Sequence, residues 1–194
     1  MRTCNKERKT NETEICVNVN LDGTGEYKIN TGIKFFNHML EQFAHHSRID
    51  MAIDVESKDK DNHHIVEDVA ITLGSAIREA LGEKRGIKRY GEKILPMDEA
   101  LVLSVVDISG RVFSKVTTDI KDSMTSDFET VILPHFFSSF AQSSGMTIHI
   151  RQLDGYDTHH IIEAVFKSFA QALRIAVSID SSLNNEIPST KGIL

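Results

Sequence analysis

One sequence pattern occurs twice in the chain, and this duplication limits what the chain can fold into. Residues 36–53 resemble residues 133–150 at an offset of 97, which places His38 on His135. Further along, the offset becomes 96, and the segment His63-His-Ile-Val-Glu67 matches His159-His-Ile-Ile-Glu163. This period is longer than the roughly 20–50 residues of solenoid repeats. We therefore predict two similar half-domains, residues 1–92 and 93–194, that together form one compact unit.

Each half is predicted to contain strands followed by a helix, a strand and a second helix. Ile15, Val17 and Val19 alternate with polar residues, as in a half-buried strand. Residues 101–106 are almost continuously apolar, which is typical of a more buried strand. Apolar residues recur at helical spacing before Gly82, which predicts the end of a helix. The chain is therefore predicted to be α+β, with its sheets covered by helices.

Charge and composition limit the partners that the chain is expected to have. The formal net charge of −6 opposes binding to nucleic acid and to anionic membranes, so neither is an expected partner. No apolar stretch is long enough to cross a bilayer, and the basic N-terminal segment lacks the apolar run of a secretory signal. Cys4 and Cys16 do not form a CxxC pair and are predicted to be free thiols. Together these features predict a cytoplasmic protein.

The repeated polar residues carry the chemistry. Six of the nine histidines and two glutamates occupy equivalent positions in the two halves: His38, His63, His64, Glu67, His135, His159, His160 and Glu163. In a helix, residues three or four apart share a face, so either His63 or His64 can approach one metal ion together with Glu67. Adjacent histidines diverge by about 100°, so one helix is not expected to direct both toward one ion. Repetition of apolar residues follows from any duplicated core, whereas repetition of eight potential ligands indicates a function.

The donor types restrict the metal without identifying it. Imidazole and carboxylate ligands without cysteine favour Mn, Fe, Co, Ni or Zn over a thiolate zinc site. Eight ligands shared by two ions leave about four protein donors for each ion. A six-coordinate ion such as Mn²⁺ would then keep positions open for substrate or water. Which ligand serves which ion stays open at this point.

Weaker basic signals lie outside the repeated pattern. Arg89, Arg111 and the tail segment 188–192 each contain groups that can bind a phosphate through charge-assisted hydrogen bonds. Each of them, taken alone, also fits an ordinary solvated surface charge. The tail is not a P-loop, because the upstream glycines and the strand-to-helix context are missing.

With these residues identified, the sequence resembles the imidazoleglycerol-phosphate dehydratase family over essentially its whole length. The matching motifs are Thr10-Asn-Glu-Thr13, Leu21-Asp-Gly-Thr-Gly25, Phe36-Asn-His-Met-Leu40, His63-His-Ile-Val-Glu-Asp68, Pro96-Met-Asp-Glu-Ala100, Asp107-Ile-Ser-Gly-Arg111, His159-His-Ile-Ile-Glu-Ala-Val-Phe-Lys167 and Pro188-Ser-Thr-Lys-Gly192. The resemblance implies a duplicated fold similar to the second domain of ribosomal protein S5. It also implies a homo-oligomer of 24 subunits.

The resemblance further implies a reaction and a role for each motif. The reaction converts imidazole glycerol phosphate to imidazole acetol phosphate and water in histidine biosynthesis. The eight repeated residues would bind two Mn²⁺ ions per active site, in sites completed between subunits, and the ions would stabilise an imidazolate intermediate. Arg89, Arg111, Ser189 and Lys191 would bind the substrate phosphate, and Glu12 would be a substrate-contacting acid or base.

The chain departs from the family pattern at three positions. Asn37 and Asn62 stand where aspartate is common, and Pro134 precedes His135. We expect these changes to affect the hydrogen bonds that orient metal-bound imidazoles. Two other functions remain open at this point, a di-metal hydrolase of a phosphorylated or amide substrate and a non-catalytic metal-binding or storage shell.

Overall fold

The computed structural model describes residues 1–194 and contains two sets of strands and helices in the same order. The first half comprises β1 (Thr3–Lys9), β2 (Thr13–Asn20), β3 (Tyr27–Asn30), α1 (Lys34–Ser47), β4 (Asp50–Ser57) and α2 (Asn62–Leu81). The second half comprises β5 (Tyr90–Met97), β6 (Ala100–Asp107), β7 (Phe113–Thr117), the short strands β8 (Met124–Thr125) and β9 (Phe128–Glu129), α3 (Ile132–Ser144), β10 (Thr147–Asp154) and α4 (Thr158–Val177). A short 3-10 helix follows at Ser181–Leu183.

The two main sheets have the same topology, which confirms the predicted α+β architecture with similar halves. Their strand orders are β1-β2-β4-β3 and β5-β6-β10-β7. In each sheet the last two strands of this order run parallel and the other neighbours run antiparallel. Residue 92 lies within β5, the first strand of the second sheet. We therefore propose that the boundary between the halves lies in the preceding loop, residues 82–89.

The helices pack between the two sheets, and each helix contacts a helix of the other half. Helix α2 lies on β1 and β2, and helix α4 lies on β5 and β6, while α1 packs against α4 and α2 packs against α3. Rings from both halves meet in the centre, where Phe169 lies 5.3 Å from Phe43 and 5.4 Å from Phe140 between ring centroids. The buried apolar residues of both halves form one continuous core. No helix is both long and apolar enough to span a membrane.

The outward-facing surfaces of the two sheets differ in polarity. The outer positions of β2 are polar apart from one cysteine, whereas the equivalent positions of β6 are aliphatic: Glu14, Cys16 and Asn18 against Leu101, Leu103 and Val105. On neighbouring strands of the second sheet, Ile94, Phe113 and Leu153 are 45–55% exposed. The outer side of the second sheet therefore carries an aliphatic strip, Leu101, Leu103 and Val105, that the first sheet lacks. The strip is flanked by the polar residues Glu92, His149 and Arg151.

A loop of the second half caps a helix of the first half. The Asp127 carboxylate, between β8 and β9, accepts hydrogen bonds from the backbone N–H groups of Lys34 at 2.8 Å and Phe35 at 2.9 Å. The backbone carbonyl of Asp127 accepts a hydrogen bond of 3.1 Å from the side chain of Asn62. One residue thus ties together the starts of α1 and α2, which carry the repeated histidines of the first half.

Close packing of β5 on α4 depends on Gly91. A Cβ atom at this position would lie 1.9 Å from the backbone oxygen of Ala172 and 2.9 Å from the backbone nitrogen of Ala176. Both contacts are with main-chain atoms of a helix, which cannot move aside as a flexible side chain can.

Gly91→Ala is expected to lower the free energy of unfolding by at least about 1–3 kcal/mol, because the added methyl group forces strand and helix apart. Denaturant unfolding monitored by circular dichroism measures the change. Glu92→Ala, an exposed neighbour in the same strand, is the control and should change stability by less than about 0.5 kcal/mol. Equal stability of Gly91→Ala and the unsubstituted protein would contradict this account of the packing.

Candidate metal centre

Six of the repeated residues gather into two clusters, and each cluster draws on both halves of the chain. Cluster A contains His38 of α1 with His159 and Glu163 of α4, and cluster B contains His63 and Glu67 of α2 with His135 of α3. Within each cluster the three potential ligand atoms lie within 4.8 Å of one another. Each residue of cluster A has its repeat in cluster B. The internal duplication therefore relates the two clusters to each other. This arrangement follows from the packing of α1 on α4 and of α2 on α3.

Cluster A is centred on a buried carboxylate. Glu163 is 5% exposed, and its Oε2 lies 3.1 Å from His159 Nε2 and 3.5 Å from His38 Nε2. Its Oε1 lies 2.5 Å from Lys167 Nζ, one helical turn further along α4. Burial alone would raise the pKa of Glu163, but the hydrogen bond and charge of Lys167 hold that pKa below its usual value. The carboxylate is therefore ionised, with one oxygen directed toward two imidazoles.

Cluster B contains a buried nitrogen atom without a hydrogen-bond partner. His135 Nε2 is inaccessible to solvent, and its nearest acidic atom, Glu67 Oε1, lies 3.5 Å away without forming a hydrogen bond. The rings of His63 and His135 stack with their centroids 4.4 Å apart. Leaving a buried nitrogen unsatisfied costs about 1–3 kcal/mol, and coordination to a metal ion would remove that cost. Ile71 occupies the position equivalent to Lys167, so cluster B has no matching cation.

The donor atoms of both clusters fit a metal ion. Each cluster offers two imidazole nitrogens and one carboxylate oxygen, a set used by Mn, Fe, Co, Ni and Zn. Ligands at about 2.0–2.2 Å from an ion lie about 3 Å from one another, which is close to the 3.1–3.5 Å separations measured here. Three protein donors leave positions for a further ligand and for substrate.

His64 and His160 lie outside both clusters. The Nδ1 atom of His64 is 2.7 Å from Asp59 Oδ2, and the Nδ1 atom of His160 is 2.8 Å from Glu99 Oε2. These hydrogen bonds raise the pKa of each histidine above its usual value. Neither Nε2 atom forms a hydrogen bond, and both rings are about one-third exposed. A carboxylate behind an imidazole is the usual arrangement at a metal-binding histidine.

Glu12 and Glu99 occupy equivalent hairpin turns but differ in their contacts. Glu99 accepts a hydrogen bond from His160 and others from the backbone of Asp157 and Tyr156, and these bonds lower the pKa of Glu99 to about 2. The exposed Glu12 carboxylate forms no hydrogen bond and lies 3.8 Å from His64 Nε2. Glu99 is therefore engaged in hydrogen bonds within the fold, whereas the equivalent residue Glu12 is free to contact a ligand. The sequence alone does not predict a role for Asp59. A role for Glu99 could have been predicted, because Glu99 lies in the motif Pro96-Met-Asp-Glu-Ala100 and repeats Glu12 in the paired hairpins.

The predicted phosphate-binding residues gather around Asp107. The guanidinium of Arg89 forms an ion pair of 2.8 Å with Asp107 and donates a hydrogen bond of 2.9 Å to the carbonyl of Pro188. Arg111 lies 3.6 Å from the same carboxylate. The bond to Pro188 brings the tail containing Ser189 and Lys191 next to Arg89. We call these four residues with a predicted phosphate-binding role, Arg89, Arg111, Ser189 and Lys191, the phosphate clamp.

The phosphate clamp lies far from the histidines of the same chain. The backbone N–H of Arg89 donates to Ala176 near the C-terminal end of α4, whereas His159 and His160 lie at its N-terminal end. Because an α-helix rises about 1.5 Å per residue, these two positions are roughly 24 Å apart. One chain alone therefore does not place the clamp beside a cluster.

The three departures from the family pattern directly precede repeated histidines but form no side-chain hydrogen bond with them. Asn37 accepts hydrogen bonds from the backbone and hydroxyl groups of Thr31, and Asn62 donates to the backbone of Asp127. Pro134 lies in the first turn of α3, where its missing N–H leaves no hydrogen bond unmade. Within the chain, the side-chain hydrogen bonds of Asn37 and Asn62 are therefore formed at helix starts and not with the repeated histidines.

The similarity to known proteins extends over the whole chain. The family model "Imidazoleglycerol-phosphate dehydratase" matches residues 31–173. Proteins of the same description from Ruegeria pomeroyi and Saccharolobus islandicus are 49% identical over 195 residues and 50% identical over 196 residues. The alignments cover 100% of this chain, and 100% and 99% of those two proteins, respectively.

Solved structures of the same description share the fold. The crystal structure from Pyrococcus furiosus, in complex with (S)-C348, has a TM-score of 0.84 and 39% identity, covering 97% of this chain and 99% of that chain. The structure from Staphylococcus aureus has a TM-score of 0.83 and 34% identity, covering 92% and 99%, respectively. The chain therefore belongs to the imidazoleglycerol-phosphate dehydratase family of hydro-lyases.

Proposed function

We propose that the protein converts imidazole glycerol phosphate to imidazole acetol phosphate and water in histidine biosynthesis, with two Mn²⁺ ions in each active site. The observation that carries this proposal is the pair of exchanged clusters, each with two imidazoles and one carboxylate. The buried nitrogen of His135 without a partner supports metal binding independently of family membership.

Clusters A and B supply six of the eight proposed metal ligands. His64 and His160 supply the other two, each from a neighbouring copy of the chain, because their Nε2 atoms are free and partly exposed. Asp59 and Glu99 hold the two rings in orientation through Nδ1. Each ion then has four protein donors, and a six-coordinate ion such as Mn²⁺ keeps positions open for substrate.

The reaction needs a sink for the electrons of a C–H bond that is not next to a carbonyl group. When bound, the two ions would supply positive charge to the substrate imidazole as it accepts those electrons, and Lewis acidity for loss of hydroxide. The Glu12 carboxylate moves the proton, because it is exposed, free of hydrogen bonds and adjacent to His64. The phosphate clamp holds the substrate at a point remote from the bonds that break.

The active site is proposed to lie between copies of the chain in a homo-oligomer of 24 subunits. The separation between the phosphate clamp and the clusters in one chain supports a shared site. The aliphatic strip on the outer side of the second sheet, with the exposed Ile94 and Phe113 beside it, supports association, because clustered exposed apolar side chains rimmed by polar ones mark interaction sites. The number of subunits, 24, rests on the resemblance to the family.

Chelation followed by metal replacement tests the reaction. Treatment with EDTA is expected to abolish formation of imidazole acetol phosphate, and added Mn²⁺ should restore it, because both clusters need an ion to accept charge from the substrate. Product is followed by its absorbance after enolisation in alkali, and inorganic phosphate is measured in parallel. Release of phosphate would instead indicate a hydrolase, and metal uptake without turnover would indicate a storage protein.

Glu163→Gln is expected to weaken binding of one of two ions per chain by more than about 100-fold, because even groups that only orient ligands change metal affinity by about 10–100-fold. Elemental analysis after dialysis should then give one ion per chain instead of two. Glu67→Gln, the equivalent change in cluster B, should remove the other ion. Glu92→Gln is the control, and unchanged metal content in Glu163→Gln would remove this residue from the ligand set.

Val105→Glu in the aliphatic strip is expected to reduce the size of the oligomer, because the added carboxylate would lie opposite Glu92 and burying it at an interface costs several kcal/mol. Light scattering after size-exclusion chromatography measures the mass. Asn18→Glu, at the equivalent position of the first sheet, is the matched control and should leave the mass unchanged. A full-size Val105→Glu oligomer would show that this face is not an interface.

A further inference from the structure

We propose that Asp68 is a positioning residue for Glu12: its carboxylate fixes the backbone of the Glu12 turn, so that the Glu12 side chain itself stays free for the substrate. The Glu12 turn comprises residues 10–13, where β1 leads into β2. Asp68 is 5% exposed, lies on α2 and belongs to neither cluster A nor cluster B. This role rests on the proposed function, which assigns proton transfer to Glu12.

The Asp68 carboxylate joins both sides of this turn to α2. Its Oδ1 accepts a hydrogen bond of 3.0 Å from Arg8 Nε in β1, and its Oδ2 accepts one from the Thr13 hydroxyl in β2. Thr13 is completely buried, and hydrogen bonds to a charged group are stronger where water is excluded. The two strands are therefore tied to one side chain of the helix that packs on them.

The hydroxyl oxygen of Thr10 extends this restraint to the backbone of Glu12. It lies 3.5 Å from Asp68 Oδ2. It also accepts hydrogen bonds from the backbone N–H groups of Glu12 at 3.1 Å and Thr13 at 2.9 Å. On the opposite side of the turn, the backbone carbonyl of Glu12 accepts a hydrogen bond of 2.8 Å from the N–H of Lys58. The backbone of Glu12 is thus held at both polar groups, while its carboxylate forms no hydrogen bond.

Fixing the turn to Asp68 also fixes the separation between Glu12 and His64. His64 and Asp68 are four residues apart on α2 and therefore lie on the same face of one helix. The Glu12 carboxylate lies 3.8 Å from His64 Nε2. The position of Glu12 relative to that imidazole therefore depends on the contacts between Asp68 and the turn.

The equivalent hairpin of the second half is packed without any of these polar groups. The strand pairing and the helix repeat match four residues of the first half with apolar ones: Arg8, Thr10, Thr13 and Asp68 correspond to Leu95, Met97, Ala100 and Ala164. Leu95, Ala100 and Ala164 are buried, and β5 and β6 pack on α4 as β1 and β2 pack on α2. Apolar contacts are therefore sufficient to join such a hairpin to its helix.

The two turns differ in what their glutamate must do. In the second half, the Glu99 carboxylate fixes its own turn through hydrogen bonds from His160 and from backbone N–H groups next to the start of α4. A carboxylate that contacts the substrate cannot be used in this way. A buried ion pair generally adds little or no stability over apolar residues of similar volume. The network around Asp68 thus meets a requirement for position, which stability alone does not explain.

The test compares Asp68→Asn with the unsubstituted protein, both loaded with Mn²⁺ and acting on imidazole glycerol phosphate. Asp68→Asn is expected to lower kcat by roughly 10- to 100-fold at a nearly unchanged KM, because misplacement of a reacting group by about 1 Å is enough for such a loss. Two bound ions per chain should remain. Glu79→Gln is the matched control, because it breaks an ion pair with Lys6 that joins the same helix to β1 about three helical turns away. It should leave kcat unchanged.

Two further comparisons separate positioning from general structural support. In a Glu12→Gln background, Asp68→Asn should lower kcat no further, because Asp68 acts through Glu12. Amide hydrogen exchange of residues 10–13 should be at least tenfold faster in Asp68→Asn, whereas exchange of the equivalent residues 97–100 should not change. If Asp68→Asn does not fold, the variant Arg8→Leu/Thr13→Ala/Asp68→Ala, which copies the apolar contact of the second half, has the same expected results.

Unchanged kcat or unchanged exchange in Asp68→Asn would overturn the proposal, as would a further loss of kcat in the double variant. Loss of a bound ion would also overturn it, by assigning Asp68 to the metal ligands of α2. An undiminished kcat in Glu12→Gln would refute the proton-transfer role of Glu12 in the proposed function, and this role of Asp68 with it. The exchange measurement uses no substrate and so tests the restraint on the turn independently of the reaction.

Discussion

Packing of helices across the two halves determines where every candidate metal ligand lies. Helix α1 lies on α4 and α2 lies on α3, and rings such as Phe43 and Phe169 interlock between the halves. Burial of this apolar surface is the main stabilising contribution, and the polar residues at the helix starts follow the helices. His38 consequently meets Glu163 of the other half. The clusters are therefore a consequence of the core and do not form within one half-domain.

The two halves have similar residues in the core and different residues at the candidate ligand sites and on the surface. Lys167 neutralises the glutamate of cluster A, whereas Ile71 stands at the same place beside cluster B. Glu99 is locked against a histidine, while its counterpart Glu12 is free. A packed interior tolerates little change in volume, but a surface position can change charge at small cost. The near-symmetry of the fold thus supports two unequal candidate metal sites.

Much of this architecture could be predicted from the sequence. The alternation of Ile15, Val17 and Val19 predicted β2, and Gly82 predicted the end of α2, because these signals depend on local geometry. The carboxylates that support the site could not be predicted in the same way. Asp127 caps a helix that starts more than 90 residues earlier, and Asp59 reaches His64 only because a loop turns back. Such pairings depend on packing and leave no periodic signal.

The sequence by itself determined that there are two similar halves, which elements they contain, and which eight side chains are suited to metal. Local spacing is sufficient for this, because helical and strand periods report which residues share a face. Only the tertiary structure decided that six of the eight form two exchanged clusters, while His64 and His160 stand apart on their own carboxylates. The same packing set the phosphate clamp at the far end of α4. The physical reason is that periodicity in the sequence identifies which residues share a face of a helix or strand, but not the surface against which that face packs. That surface depends on how whole helices bury their apolar residues against one another.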